Sequence, residues 1–317
     1  MNDSDLEKHF RAMEGLNSPH QRLYKGLESL LIAENLELTL KNEILEKIPK
    51  RWERYGELVL LPKKTFKEYN GSKFLNQSFW KVIAKALEVS KIGIQGEIKG
   101  DYRETGAFLV LGNNANVLHV ENKIIYSFNV TKCMFSSGNV SERIRVSKFD
   151  CTGEEILDLY AGIGYYTLPL LVYSGCKHVY SCEWNEEASD SLIQNLSLNK
   201  VEDKCSVYVG DNNITITDSK LIGKIDRVFL GLLPSSKGGW KLGLSSLKST
   251  GGMIHLHGNA PGKKELEWAK GVMKELSELA LEMNKKWKFS LQHLEKVKWY
   301  SPHVRHVVLD ILCERDE

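Results

Sequence analysis

No apolar run in these 317 residues approaches the roughly 18 that a membrane-spanning helix needs, and no basic-then-apolar leader opens the chain. Internal repeats and low-complexity tracts are absent as well. The six cysteines (Cys133, Cys151, Cys176, Cys182, Cys205 and Cys313) form no C-x-x-C pair and no metal-ligand spacing. Membrane spans, disulfide frameworks and zinc modules therefore fall away. Several of these cysteines lie in apolar strand patterns, where a reduced thiol behaves as a small hydrophobe. The expectation is a cytoplasmic chain in a reducing compartment, with no metal and no membrane partner. Nothing in the sequence indicates its oligomeric state.

A strong net charge is also missing: 43 Lys and Arg face 41 Asp and Glu. The balance is uneven, however. Residues 1–150 hold 23 cations against 19 acids, and the remainder 20 against 22. Within residues 50–91 the ratio is 10 to 4, so the basic character is local. Such a stretch is either a solvated helix face or a nucleic-acid footprint. The length suits about two domains, and 42% hydrophobic with 26% charged residues is ordinary globular composition.

What the chain does contain is centred on Leu157–Leu170, LDLYAGIGYYTLPL. An apolar run ends in Gly162-Ile163-Gly164 and a helical pattern follows, so the stretch reads as strand, glycine turn and helix start. A dinucleotide site wants a third glycine or alanine, and Thr167 stands there instead. A second strand, His178–Cys182, ends in Glu183, where an acid can accept from ribose hydroxyls. A third, Cys205–Val209, ends in Gly210-Asp211-Asn212, and a fourth, Asp226–Leu230, in Gly231-Leu232-Leu233-Pro234. These four strand ends describe an α/β, methyltransferase-type Rossmann sheet that binds S-adenosylmethionine. A nucleotide fold without that ligand is the alternative.

Three domains are expected: a helical extension over 1–45, a small α/β domain over 46–147, and the Rossmann-type domain over 148–317. Helical patterns cover Asp5–Met13, Ser18–Ala33 and Phe79–Val89. Strands are expected at Glu57–Leu61, Ile92–Ile98 and Ala107–Leu111, with a hairpin about Asn122. Ser141 is a plausible N-cap for a helix carrying Arg143, which either meets the methionine carboxylate of the ligand or is merely exposed on a linking helix. His255 and His257 share a strand face and read as ordinary strand histidines before a metal site. A long helix over Lys263–Trp287 presents the stripe Leu266, Ala269, Val272, Met273, Leu276, Leu279, Ala280 and Met283 to the sheet. An antiparallel strand pair then closes the sheet, and its Trp299-Tyr300 turn either stacks on a nucleobase or covers the core.

The motifs PKRWERYGELVLLP, NVTKCMFSSGNVSERIRV, DLYAGIGYYTLPLLVYSG, CEWNEEA, GDN and GLLPSS, in this order, resemble those of the tRNA wybutosine-synthesizing protein 2 homologues, relatives of the tRNA guanosine-37 N1-methyltransferases. The resemblance runs from about Pro49 to Cys313. The N1-methyltransferases typically carry Asn-Leu-Pro or Asn-Pro-Pro after the fourth strand. Gly231 cannot supply that side chain, and GLLPSS is the wybutosine form.

The resemblance implies transfer of the 3-amino-3-carboxypropyl group of S-adenosylmethionine to carbon 7 of 4-demethylwyosine at position 37 of phenylalanine tRNA, with release of 5′-methylthioadenosine. It places cofactor contacts on Ser136 and Arg143 (methionine end), Glu183 (ribose) and Asp211 and Asn212 (adenine end), with Gly162 and Gly164 as open backbone. Glu142, Asp158 and His257 are candidate general bases, none assigned. Lys50, Arg51, Arg54, Lys63, Lys64 and Lys67 are candidates for the anticodon loop. A guanosine-37 N1-methyltransferase and a non-catalytic tRNA-binding protein are the rival readings; a small-molecule methyltransferase leaves the N-terminal half without a role.

Overall fold

The protein's structure, a computed structural model, describes residues 3–98, 100, 105–218 and 220–316. Two compact units emerge: residues 1–120 with 127–135, and residues 121–126 with 136–317.

The first unit opens with three helices, α1 (Asp3–Arg11), α2 (Pro19–Ala33) and α3 (Leu38–Glu46). A four-stranded sheet follows from β1 (Glu53–Tyr55), β2 (Leu58–Leu61), β3 (Lys91–Ile94) and β4 (Phe108–Leu111), with helix α4 (Gln77–Leu87) crossing between β2 and β3. The crossover makes β2 and β3 parallel, while the outer pairs are antiparallel. Asn76 caps α4 by accepting from the Ser78 and Phe79 amides. Phe79, Val82, Ile83 and Ala86 of α4 pack with Val59, Leu61 and Ile92 of the sheet and with Leu23, Leu27 and Leu30 of α2. The N-terminal helices thus share one core with the sheet, and residues 1–45 are not a separate extension. The spacing of Leu23, Leu27 and Leu30 puts three leucines on one face of α2, which would be exposed without α4.

A hairpin of β5 (Asn116–Glu121) and β6 (Ile124–Asn129) turns at Asn122 and Lys123, both with positive φ, as the tight hairpin turn requires. The first unit ends at Phe135, so Ser136 and helix α5 (Val140–Val146) belong to the second. Helix α5 begins one residue before Ser141. A 3-10 turn over Ser137–Asn139 runs straight into it, which takes the capping position from that serine.

The second unit carries β7 (Glu155–Asp158), α6 (Thr167–Tyr173), β8 (His178–Glu183), α7 (Glu186–Leu198), β9 (Cys205–Val209), α8 (Asn212–Asp218), β10 (Arg227–Leu230), α9 (Trp240–Ser246), β11 (Gly251–Pro261), α10 (Glu265–Glu282), β12 (Trp287–Ser301) and β13 (Val304–Arg315). Its sheet order is β12-β13-β11-β10-β7-β8-β9. Strands β7 to β11 are mutually parallel, and β13 runs antiparallel to both its neighbours. The order reverses between β7 and β10, and ligands of such sheets bind at the carboxyl ends of the strands flanking that point.

Helix α10 is shorter than its sequence pattern. Asn284 adopts a left-handed conformation and the Lys285 amide returns to the Ala280 carbonyl at 2.8 Å, a C-terminal cap that stops the helix and frees Trp287 to open β12. Ala269, Val272, Leu276 and Ala280 face the sheet, but Leu266 is 56% exposed and drops out of the stripe.

Candidate functional site

The glycine loop is held from four sides. Asp158, at the end of β7, accepts the Thr167 hydroxyl at 2.9 Å and the Tyr160 amide at 3.3 Å, and Thr167 also meets Ser181 Oγ at 2.8 Å. Thr167 therefore pins the helix start to the strand end, a polar task that a glycine or alanine cannot perform. Asn212 Nδ2 donates to the Leu159 carbonyl, and the buried Asn195 Nδ2 to the Ile163 carbonyl. Gly162 has φ +56 and Gly164 φ +101. A Cβ on Gly164 would come within 2.9 Å of Leu168 and 3.0 Å of Leu192, so that glycine serves helix packing as much as openness.

Glu183 ends β8 beside this loop. Its Oε2 accepts the Gly162 amide at 2.8 Å and its Oε1 the Asn185 amide at 2.9 Å. Burial raises its pKa, and these amides pull it back. The Trp184 amide contributes as well, and a carboxylate with about four acceptor sites still has room for a hydroxyl. Asp211, exposed at the end of β9, accepts from the Asn213 amide. Gly162, Glu183, Asp211 and Asn212 are thus gathered along the carboxyl ends of β7, β8 and β9. A carboxylate at the second strand end with an acid-amide pair at the third fits a ribose-bearing adenine. Trp184, 43% exposed directly after Glu183, was not singled out from the sequence; an aromatic following a strand-end acid was the available signal.

On the other flank, Arg143 is buried rather than presented to solvent. Its Nε and Nη2 grip the Glu121 carboxylate at 2.5 and 2.8 Å, and Nη1 donates to the Ser136 carbonyl at 3.1 Å. The ion pair raises the arginine pKa against the lowering effect of burial. Ser136 Oγ accepts from Lys298 Nζ at 2.6 Å. Neither Glu121 nor Lys298 was foreseeable, since they lie 22 residues before Arg143 and 162 after Ser136.

The three candidate bases are all interior. Asp158 and Glu142 are wholly buried and His257 nearly so. Glu142 is clamped by Arg145 at 2.7 and 2.8 Å, and Arg145 also holds Asp310 at 2.5 and 3.1 Å. Burial raises the Glu142 pKa, opposed by Arg145. His257 Nδ1 lies 3.0 Å from His306 Nε2 and its ring packs 4.8 Å from Tyr166, while its buried Nε2 has no hydrogen-bond partner among the described residues. Burial drives His257 well below the usual histidine value. All three side chains are engaged in internal contacts. His255 likewise bonds Asp310 at 2.6 Å and Arg227 at 2.7 Å. An arginine can only donate, so His255 Nε2 accepts and Nδ1–H faces the aspartate. Among the described residues no His, Cys, Asp and Glu group is arranged to hold a metal ion.

Gly231 closes the site at the end of β10. A Cβ there would lie 3.3 Å from Tyr166 Cε2 and 3.9 Å from the Tyr160 carbonyl. In the next segment the Asn259 amide bonds the Pro234 carbonyl, and Trp240 Nε1 bonds Ser236 Oγ, which ties the GLLPSS loop to β11 and α9.

The basic residues of the first unit differ in availability. Lys50, Arg51 and Lys64 are exposed. Arg54 donates to the Leu87 and Glu88 carbonyls and so caps the C-terminus of α4, and Lys63 pairs with Glu97.

Known proteins resemble this chain in sequence and fold. Residues 117–286 match the TRM5/TYW2 methyltransferase domain, and residues 32–115 the TYW2 N-terminal domain. The chain is 36% identical to a Danio rerio tRNA wybutosine-synthesizing protein 2 homolog, with 98% of this chain and 82% of that protein covered. It is 39% identical to the Arabidopsis thaliana tRNA wybutosine-synthesizing protein 2/3/4 over 96% of its own length, yet spans only 30% of that protein. A solved structure of P. horikoshii TYW2 in complex with MeSAdo superposes with TM-score 0.74 at 30% identity, covering 92% of this chain and 98% of that one. With the domain match spanning more than half its length and a full-length relative above 30% identity, the chain belongs to the tRNA wybutosine-synthesizing protein 2 family of the TRM5/TYW2 methyltransferase fold.

Proposed function

We propose that this chain is a tRNA-modifying transferase of wybutosine biosynthesis. It moves the 3-amino-3-carboxypropyl group of S-adenosylmethionine to carbon 7 of 4-demethylwyosine at position 37 of phenylalanine tRNA and releases 5′-methylthioadenosine. The sulfonium of this co-substrate activates all three carbons attached to it. What the protein supplies is orientation, because the carbon that reacts is the one held about 3–3.5 Å from the nucleophile in line for displacement. Gly231 carries the reading: it stands at the switch-point strand end without the side chain by which an N1-methyltransferase would face the base. The MeSAdo held by the Pyrococcus relative supports it, since methyl transfer would leave S-adenosylhomocysteine instead.

In this reading Glu183 takes the ribose hydroxyls, Asp211 and Asn212 flank the adenine with Trp184 nearby, and the Gly162–Gly164 loop lies along the chain of the ligand. Ser136 faces the methionine end. Arg143 acts there through the Ser136 carbonyl that it holds, and Lys298 adds a cation at Ser136 Oγ. No solvent-facing base is assigned, in keeping with the burial of Glu142, Asp158 and His257. Lys50, Arg51 and Lys64, with Lys63 and Arg54 in part committed elsewhere, bind phosphates of the anticodon loop. A cytoplasmic, reducing setting is part of the proposal, supported by six free cysteines, five of them buried. Label in the carboxyl carbon of S-adenosylmethionine should reach the tRNA, and label in its methyl should not. The opposite pattern would establish the N1-methyltransferase reading.

A further inference from the structure

We propose that the tip of the β12–β13 hairpin is a stacking platform for an unpaired nucleotide of the RNA substrate, next to the modified one. This rests on the tRNA-modifying reading above and adds an RNA-binding site on the second unit.

Trp299 is 54% exposed and Tyr300 49%, although the middle of the adjoining β13 is buried. Trp299 is nevertheless held in place. Its cross-strand partner Arg305 lies over the indole at 4.1 Å from the ring centroid. Gly262 approaches from the next loop so closely that a Cβ would fall 2.6 Å from Trp299 Cζ3, and its amide is fixed to the His303 carbonyl at 2.8 Å. Arg305 Nε lies 3.3 Å from a carboxylate oxygen of the buried Glu265, an electrostatic contact without hydrogen-bond geometry. An exposed indole fixed by a guanidinium and a required glycine is pre-organised, so little rotamer freedom is lost on contact.

The surroundings select the partner. Residues 296–305 hold Lys296, Lys298 and Arg305 and no acid, and exposed Lys263 and Lys264 directly follow Gly262. Aromatic faces set among cations are how proteins hold single-stranded nucleic acid, by base stacking with phosphate contacts. Protein interfaces are instead depleted in lysine, whereas Lys263, Lys264, Lys296 and Lys298 surround this tip. The position fits as well. Strand β12 runs parallel to β7 and β10, so Trp299 ends it at the carboxyl edge, where the glycine loop lies. Lys298, adjacent to Trp299, reaches Ser136. The adenine end is at β8 and β9, on the far side of the sheet order, so the platform serves the RNA and not the co-substrate.

The test titrates the full chain with a fluorescein-labelled anticodon stem-loop and, separately, with S-adenosylmethionine. Trp299→Ala should weaken RNA binding about tenfold or more, and Trp299→Phe, which keeps a stacking face, by no more than about threefold. Co-substrate affinity should stay as in the wild type. Because Trp299→Ala risks misfolding, Lys263→Glu/Lys264→Glu is measured alongside; both lysines are exposed, and the double variant should flatten the salt dependence of RNA binding. Unchanged RNA affinity in the alanine variant, or in the lysine variant if the former does not fold, overturns the proposal and leaves the tip to a protein partner. Wild-type protein that binds the stem-loop in a Trp299-dependent way but transfers nothing would sink the transferase reading while the platform stands.

Discussion

Glu183 Oε2 accepts the Gly162 amide at 2.8 Å, so the acid that would hold a ribose also fixes the loop that would lie along the ligand. One carboxylate couples two strand ends. Glu183→Gln should therefore weaken S-adenosylmethionine binding by more than the loss of one hydroxyl hydrogen bond, about 10- to 100-fold, since hydrogen bonds to charged groups contribute roughly 1.5–3 kcal/mol each. Calorimetric titration checks this. Affinity within about twofold of wild type would contradict it.

Asp158 offers a pH test of its internal contacts. Burial lifts its carboxyl from 3.8 to about 6, against the hydrogen bonds from Thr167 and the Tyr160 amide. A folded-state value above the unfolded one means that the stabilisation is fully present below about pH 3.8 and is lost as the pH rises through about 6. Asp158→Asn lacks this loss. The stability gap between wild type and variant should thus narrow by roughly 2 kcal/mol between about pH 4.5 and about pH 7.5 in urea unfolding. A gap that stays constant would place Asp158 in a solvated setting.

Much of this arrangement was legible beforehand. Buried parallel strands read as apolar runs, so the ends of β7 to β10 and the residues just beyond them could be placed from the sequence. What the runs do not reveal is who faces whom. Asp158, at the end of β7, reads as an available acid until Thr167 and Ser181 close over it. Arg143 reads as a ligand-facing cation until Glu121, on a hairpin in the preceding segment, takes it. Arg54 reads as a phosphate contact until α4 ends against it. Side-chain partners across long sequence separations leave no periodic trace.

Gly231 bears on reaction choice. Gly231→Asn restores the residue type of the N1-methyltransferases, yet its Cβ would press on Tyr166 at 3.3 Å. If orientation of the co-substrate decides the reacting carbon, one side chain will not redirect it. Transfer should slow by about 100-fold, the scale of an ångström-level misplacement, and the nucleoside product should remain unmethylated. Methylation at a comparable rate would count against orientation as the deciding factor.

On the first unit, Lys63→Glu/Lys64→Glu should weaken tRNA binding and reduce the salt slope by about one for each phosphate that is no longer neutralised. Lys63 already pairs with Glu97, so Lys64→Glu alone should account for most of the weakening. Filter binding across a salt series reads both, with S-adenosylmethionine affinity as the control. Equal tRNA affinity in wild type and double variant would remove this patch from the interface.

The most direct measurement is the identity of the nucleoside released as precursor tRNA is modified. Chromatography of the reaction should yield 5′-methylthioadenosine, one for each modified tRNA, because the amino-acid arm leaves the sulfur and the methyl stays on it. S-adenosylhomocysteine in that stoichiometry would contradict the central claim.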